Sequence, residues 1–169
     1  MPRIPTAVLV DGYNLLHAIP RFAPRGAELA PARAQLEEWL GQAARAAAVS
    51  ECLLVWDGRA GSRANPTTAP LTVIFTPTGV TADDRLLALC RGSYAARAAT
   101  TWIISSDHGV QTPARQLGFT VLGAKTFYDR WATARPRGGC APERHATATK
   151  PRPSRADTEA WLNEMARRS

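Results

Sequence analysis

Short apolar runs alternate along this chain with longer stretches whose hydrophobic residues recur every three or four positions. Ala7 to Val10 is apolar throughout and stops at Asp11-Gly12, which predicts a strand buried on both faces. From Leu29 to Val49 an alanine-rich stretch carries Leu36, Trp39, Leu40, Ala43 and Ala47 at helical spacing. This predicts an amphipathic helix with Pro31 in its first turn. Cys52 to Trp56 reads as a second strand ending at Asp57-Gly58. A loop rich in Gly, Ser, Asn and Pro follows from Arg59 to Pro70, then a third strand from Leu71 to Phe75. Thr81 is placed to cap a helix on which Asp83, Leu87, Cys90 and Tyr94 share one face, so that the face carrying the core also carries Asp83. Thr101 to Ile104 predicts a fourth strand running into Ser105-Ser106-Asp107. A helix to about Gln116, a fifth strand from Phe119 to Leu122 and a last core helix from about Lys125 to Trp131 complete the pattern. Strands and helices alternating in this way predict an α/β fold with a central, mainly parallel sheet covered on both faces.

Beyond Ala132 the character changes. Pro136, Gly138, Gly139, Pro142, Pro151 and Pro153 are scattered among arginines, which predicts an extended linker over 133–153 after a core domain over 1–132. Residues 154–169 recover helical spacing, with Ser154 or Asp157 as cap and Trp161 and Met165 on one face. A helix that short needs a surface to dock on.

The 169 residues suffice for one domain with a single core. No apolar run exceeds five residues, too short for a membrane span or a secretory core, so a cytoplasmic location is expected. The formal charge of +7 and a pI near 10.2 favour a polyanionic partner, nucleic acid first. All but Lys125 and Lys150 of the 21 cations are arginines, which suit bidentate phosphate contacts. Cys52, Cys90 and Cys140 lack the spacing of a zinc site or a disulfide framework. Cys52 and Cys90 read as buried free thiols of a reducing compartment.

Chemistry enters with the aspartates. Asp11, Asp57, Asp83, Asp84 and Asp107 all fall at the C-terminal tips of predicted strands or at the helix start just beyond. Ligands of open parallel sheets bind outside those strand ends, so four separate segments aim carboxylates at one crevice. Any one of these residues is at home as a turn or helix cap. As a set they imply a hard divalent cation, Mg2+ or Mn2+. Such an ion beside a phosphodiester is the chemistry of metal-dependent nucleases. Asp11 is best placed as a direct metal ligand. Asp83 and Asp107 follow as ligands or water-orienting groups, and Asp57 and Asp84 as support. Asn14, one helical turn beyond Asp11, is a candidate hydrogen-bond donor to phosphate, ribose or a metal-bound water. Arg59, Arg63 and Arg85 are candidate phosphate contacts, and Tyr13 at the mouth is a candidate base-stacking residue. Trp39, Trp56, Trp102 and Trp131 fit core positions.

Four ordered motifs carry a resemblance. Val10-Asp11-Gly12-Tyr13-Asn14-Leu15-Leu16 comes first and Val55-Trp56-Asp57-Gly58 second. Val73-Ile74-Phe75-Thr76 with Thr81-Ala82-Asp83-Asp84 is third, and Ser105-Ser106-Asp107 fourth. Over about Val8 to Trp131 the chain resembles the YacP-like NYN-domain nucleases, relatives of the PIN-domain ribonucleases. The resemblance implies a PIN-like three-layer sandwich around a five-stranded sheet, Mg2+- or Mn2+-dependent endoribonuclease activity and an acidic site. Carried over motif by motif, it marks Asp11, Asn14, Asp57, Asp83, Asp84 and Asp107. Asp84 departs from the pattern in being Asp where Glu is frequent, one methylene shorter.

Rival readings start from other features. A non-catalytic RNA-binding module, acting through a partner such as the ribosome, would use the same charge. A haloacid-dehalogenase-type phosphatase needs a second Asp where Tyr13 stands, and a phosphotransfer receiver needs an acidic pair where Gly12 follows Asp11. An interaction protein would dock through the Trp161 helix.

Overall fold

The computed structural model describes residues 4–24, 26–58 and 69–133. Arg59, Arg63 and Cys140 lie outside the described residues, as do the linker and C-terminal helix expected beyond Thr133. Five strands form one all-parallel sheet: β1 Ala7–Asp11, β2 Glu51–Trp56, β3 Leu71–Phe75, β4 Thr101–Ile104 and β5 Thr120–Leu122, in the spatial order β3-β2-β1-β4-β5. The helices are α1 Gly12–Ala18, α2 Leu29–Ala46, α3 Ala82–Arg91, α4 His108–Gln116 and α5 Ala124–Ala132, with a 3-10 helix over Ala95–Thr100.

Side-chain alternation on the strands sorts the core into two layers. Val8, Val10, Cys52, Leu54, Trp56, Trp102 and Ile104 face α1, α2 and α5. Ala7, Leu9, Leu53, Val55 and Ile103 face α3 and α4. This is why β1 and β2 read as unbroken apolar runs: both faces are covered. Each large side chain so buried contributes about 1.5–3 kcal/mol. The chain order reverses beside β1, where β4 lies on the flank opposite β2, and this is the switch point at which parallel sheets open a crevice. Val10 pairs with Ile104 and Asp11 with Val55, so Asp11 stands level with Ser105 just past the end of β4.

Four expectations need correction. Helix α1 and the 3-10 helix carry no strong periodic signal: α1 is only two turns long, and the 3-10 segment buries no residue. Helix α2 ends at Ala46 rather than running to Val49, because Ala48 turns at φ 55° and sends Val49 into the core from outside the helix. On α3 the buried stripe is Ala82, Leu86 and Cys90, and Asp83 and Leu87 sit on its half-buried shoulder. The Ala82 N–H, held by the Asp57 carboxylate, sets that rotation. Strand β5 starts at Thr120, since Gly118 at φ 86° ends α4 and Phe119 turns into the core. Among the described residues no helix is long and apolar enough to cross a membrane. Cys52 and Cys90 are buried free thiols, and Trp56, Trp102 and Trp131 are buried.

Gly12, the first residue of α1, lies on the face of the fully buried Trp56 ring. A Cβ there would come within 2.8 Å of Trp56 Cζ3 and closer still to two other ring carbons. Gly12→Ala should therefore destabilise the protein by about 1–3 kcal/mol, the range for overpacking a tight core. Denaturant unfolding would read this as a lower midpoint at unchanged slope.

Candidate active site

Three of the five strand-tip aspartates, Asp11, Asp57 and Asp107, first serve the backbone. Asp11 caps α1 by accepting the Asn14 N–H at 3.0 Å, and Asp107 caps α4 by accepting the Gly109 N–H at 2.5 Å. Thr81 caps α3: its Oγ1 accepts the Asp84 N–H at 3.1 Å, and its hydroxyl donates to the Asp84 carboxylate at 2.8 Å. Asp57 accepts the Ala82 N–H and so ties the end of β2 to the start of α3. Beyond Asp57 the chain turns through Gly58 at φ 86°, whose N–H donates to the buried Thr76 hydroxyl oxygen at 3.2 Å. A carboxylate offers about four lone-pair sites, so one capping bond leaves the rest for other partners.

Asp11 and Asp83 go further: their carboxyl groups lie close enough for each to shift the other's titration. Asp11 is 6% exposed. Burial is the main cause that lifts its pKa from the ordinary 3.8 to about 6. The Asp83 and Asp57 carboxylates add to the rise, and the Asn14 N–H opposes it. Asp83 is also raised, by burial first, then by the charge of Asp107, with smaller contributions from Asp57 and Asp84. Asp83 is thus the electrostatic hub through which all five carboxylates feel one another. Among the described residues no cationic side chain is one of the groups that shift either residue.

Asn14 joins the two strands of the switch point. Its Oδ1 accepts the Ser106 N–H at 2.8 Å, which fixes the amide orientation and leaves Nδ2 as a donor. Ser106 Oγ accepts the Ala124 N–H at 3.1 Å and Ser105 Oγ accepts the Asp107 N–H at 3.1 Å. The Gln111 side chain donates to the Ser105 carbonyl at 2.7 Å. Sequence reasoning gave Ser105, Ser106, Gln111 and Thr76 no role, although Ser105-Ser106-Asp107 stood out as a motif.

Tyr13 packs its half-buried ring edge-on to Trp56, with centroids 5.0 Å apart, and stacks with His17 at 6.0 Å. Arg85 is exposed on the first turns of α3, and His108 is exposed at the start of α4.

Among the described residues no three carboxylate, imidazole or thiol groups converge as a ready-made metal cage. What the site does offer is a buried Asp11 carboxyl, with further carboxylates close enough to act on it by charge. Magnesium is usually held in this way, by one or two carboxylates with waters and substrate phosphates completing its octahedron. The donor set therefore fits a hard divalent ion.

The family model for the YacP-like NYN domain matches residues 8–167. Among solved structures, the fold is similar to the crystal structure of Rae1 (YacP) from Bacillus subtilis, at 24% identity and a TM-score of 0.62 over 76% of this chain and 74% of that one. A crystal structure of a point mutant of the same protein gives 23% identity and a TM-score of 0.63 over 76% of each chain. No curated protein matches the sequence.

The raised pKa of Asp11 fixes a pH dependence. In the metal-free folded state Asp11 holds a proton up to about pH 6, whereas the unfolded chain releases it near 3.8. The associated stability is therefore complete below about pH 4 and lost as pH rises through 6, by roughly 3 kcal/mol. Asn caps helices as well as Asp does. Asp11→Asn should then gain stability relative to the parent as pH rises from 4 to 7, in denaturant titrations with chelator present. A pH-independent difference between the two proteins would refute the shift.

Proposed function

The chain belongs to the YacP-like NYN family, and from that membership and its carboxylate crevice we propose that it is a divalent-metal-dependent endoribonuclease. The PIN-like nuclease fold gives the reaction class. The observation that carries the rest is the buried Asp11 at the switch point of the sheet, with the carboxylates of Asp83 and Asp57 close enough to act on it by charge. Asp11 and Asp83 would hold Mg2+ or Mn2+, with Asp107 and Asp57 orienting water around it and Asp84 adding negative charge from the capping box. When bound, the ion supplies acidity to a water and charge neutralisation at the phosphate.

The chain's own groups do the remainder. Asp107 spends one oxygen on its helix cap, and its remaining acceptor sites can orient the attacking water. Asn14 Nδ2, held by the Ser106 bond, is free to donate to a phosphate oxygen or ribose hydroxyl. Attack of water on phosphorus breaks one P–O bond, and the leaving oxygen takes a proton from solvent or a site carboxyl. The net positive charge of the chain favours retention of the polyanion. Arg59, Arg63, Arg85 and Tyr13 remain candidate RNA contacts, and the cytoplasm, with its reduced thiols, is the proposed compartment.

End-labelled single-stranded and structured RNA, with DNA as control, tests the activity in Mn2+, Mg2+ or EDTA. Wild type should cut RNA with metal only. Asp11→Asn should lose more than about 100-fold, and Asp107→Asn about 10–100-fold. Absence of cleavage with RNA binding intact in every variant would instead support a non-catalytic binding module that works through a partner such as the ribosome.

Metal binding has its own readout. At pH 7, Mn2+ at 100 times its Kd should raise wild-type stability by about 2.7 kcal/mol. Asp83→Asn should show little of this gain in thermal unfolding.

A further inference from the structure

Arg33, in the second turn of α2, is held in an unusual environment for one arginine among so many. Its guanidinium carbon lies 5.9 Å from the Trp56 ring centroid and 5.7 Å from that of Phe75. These two aromatics are register partners and the last residues of β2 and β3, so they lie at the sheet edge where the aspartates gather. Directly after them come Asp57 and Thr76, and the Thr76 N–H donates to the Trp56 carbonyl at 2.9 Å.

The expected salt-bridge partner of Arg33 is engaged elsewhere. Glu37, one helical turn on, would ordinarily pair with an arginine four residues before it. Instead Glu37 Oε1 accepts the Trp56 indole N–H at 2.9 Å. Among the described residues no carboxylate lies within ion-pairing distance of Arg33. The side chain is half-buried. Two aromatic rings and a helix thus restrain a planar cation whose N–H edges carry no carboxylate. Planar, stacked guanidinium is suited to bidentate contact with phosphate, and restraint by the rings lowers the entropy lost on binding.

We propose that Arg33 binds a backbone phosphate of the RNA beside the scissile one, on the α2 side of the crevice. This rests on RNA being the substrate. Trp56 joins the two parts of the site: Gly12 and Tyr13 of the Asp11 segment pack against its ring, and Arg33 lies over it. A strand that presents one phosphate to Asp11 and Asp83 then meets Arg33 with a neighbouring phosphate.

Binding of a fluorescein-labelled single-stranded RNA, read by anisotropy over a range of salt concentrations, tests this in the Asp11→Asn background, where cleavage plays no part. Adding Arg33→Ala should weaken affinity about tenfold and reduce the salt slope by about one. Arg33→Lys, which keeps the charge without the planar fork, should fall between. Arg45→Ala, which removes equal charge from the far end of α2, should change affinity less than twofold. Circular dichroism checks folding, and Arg33→Gln, which keeps much of the stem, replaces Arg33→Ala if the alanine variant unfolds. In the cleaving enzyme the loss should fall on KM rather than kcat. Unchanged affinity, or a loss no larger than that of Arg45→Ala, would overturn the assignment. RNA held through Arg33 but left uncut by wild type with metal would refute the nuclease reading and leave Arg33 standing. Failure of the parent to bind RNA at all would overturn both.

Discussion

A carboxyl group on the central strand, withdrawn from water and set against a second carboxyl, is the constraint around which this structure is arranged. The other four residues of β1 are fully buried, and Asp11 at its tip is nearly so. Burial of a carboxylate is costly unless hydrogen bonds or opposite charge replace the lost water. Among the described residues the chain supplies one backbone N–H from Asn14, while the neighbouring Asp83 and Asp57 carboxylates add like charge. The result is a group held near pKa 6 in the absence of other ions. A purely structural cap would serve as well a turn further into solvent, where it would keep its ordinary pKa.

The two-layer core explains how groups so distant in sequence reach this carboxyl. Helix α1 belongs to the layer that packs on Val8 and Val10, and α3 to the layer that packs on Leu9 and Val55. Asn14 therefore approaches the sheet edge from one face and Asp83 from the other, with Asp11 between them. The Asp57 bond to the Ala82 N–H fixes where α3 begins, and the Ser106 bond to Asn14 fixes the loop after β4.

The same arrangement decides what was legible beforehand. Strands β1, β2 and β4 show in the chain as apolar runs because a strand covered on both faces must be apolar on both, whereas β3 and β5 at the flanks of the sheet are only partly buried. The aspartates follow from their place after those runs. Asp83 was expected on the core face of its helix, yet it lies on the shoulder, since the rotation of α3 is set by a long-range bond from Asp57 that spacing alone does not encode. Asn14 stood out as a polar neighbour of Asp11 and as part of the first motif. Its partner is 92 residues away, so its bridging role required the register of β1 against β4. Arg33 had no signal at all: its distinction is the two rings beneath it and the diversion of Glu37 to the Trp56 indole, which arise only when β2, β3 and α2 pack.

Capping and the proposed metal binding are not competing explanations for these aspartates; the first would prepare the second. Helices α1, α3 and α4 all start at this edge, at caps Asp11, Thr81 and Asp107. Each N-terminus acts as roughly half a positive charge, so together they offset about one to two of the carboxylate charges. Among the described residues the five carboxylates still leave an excess of negative charge at the crevice, which is unfavourable beside a phosphate. In the proposed function a divalent ion held by Asp11 and Asp83 would supply the missing positive charge. The helix caps would then hold the oxygens in place for it, so that residues which build the fold also carry the proposed chemistry.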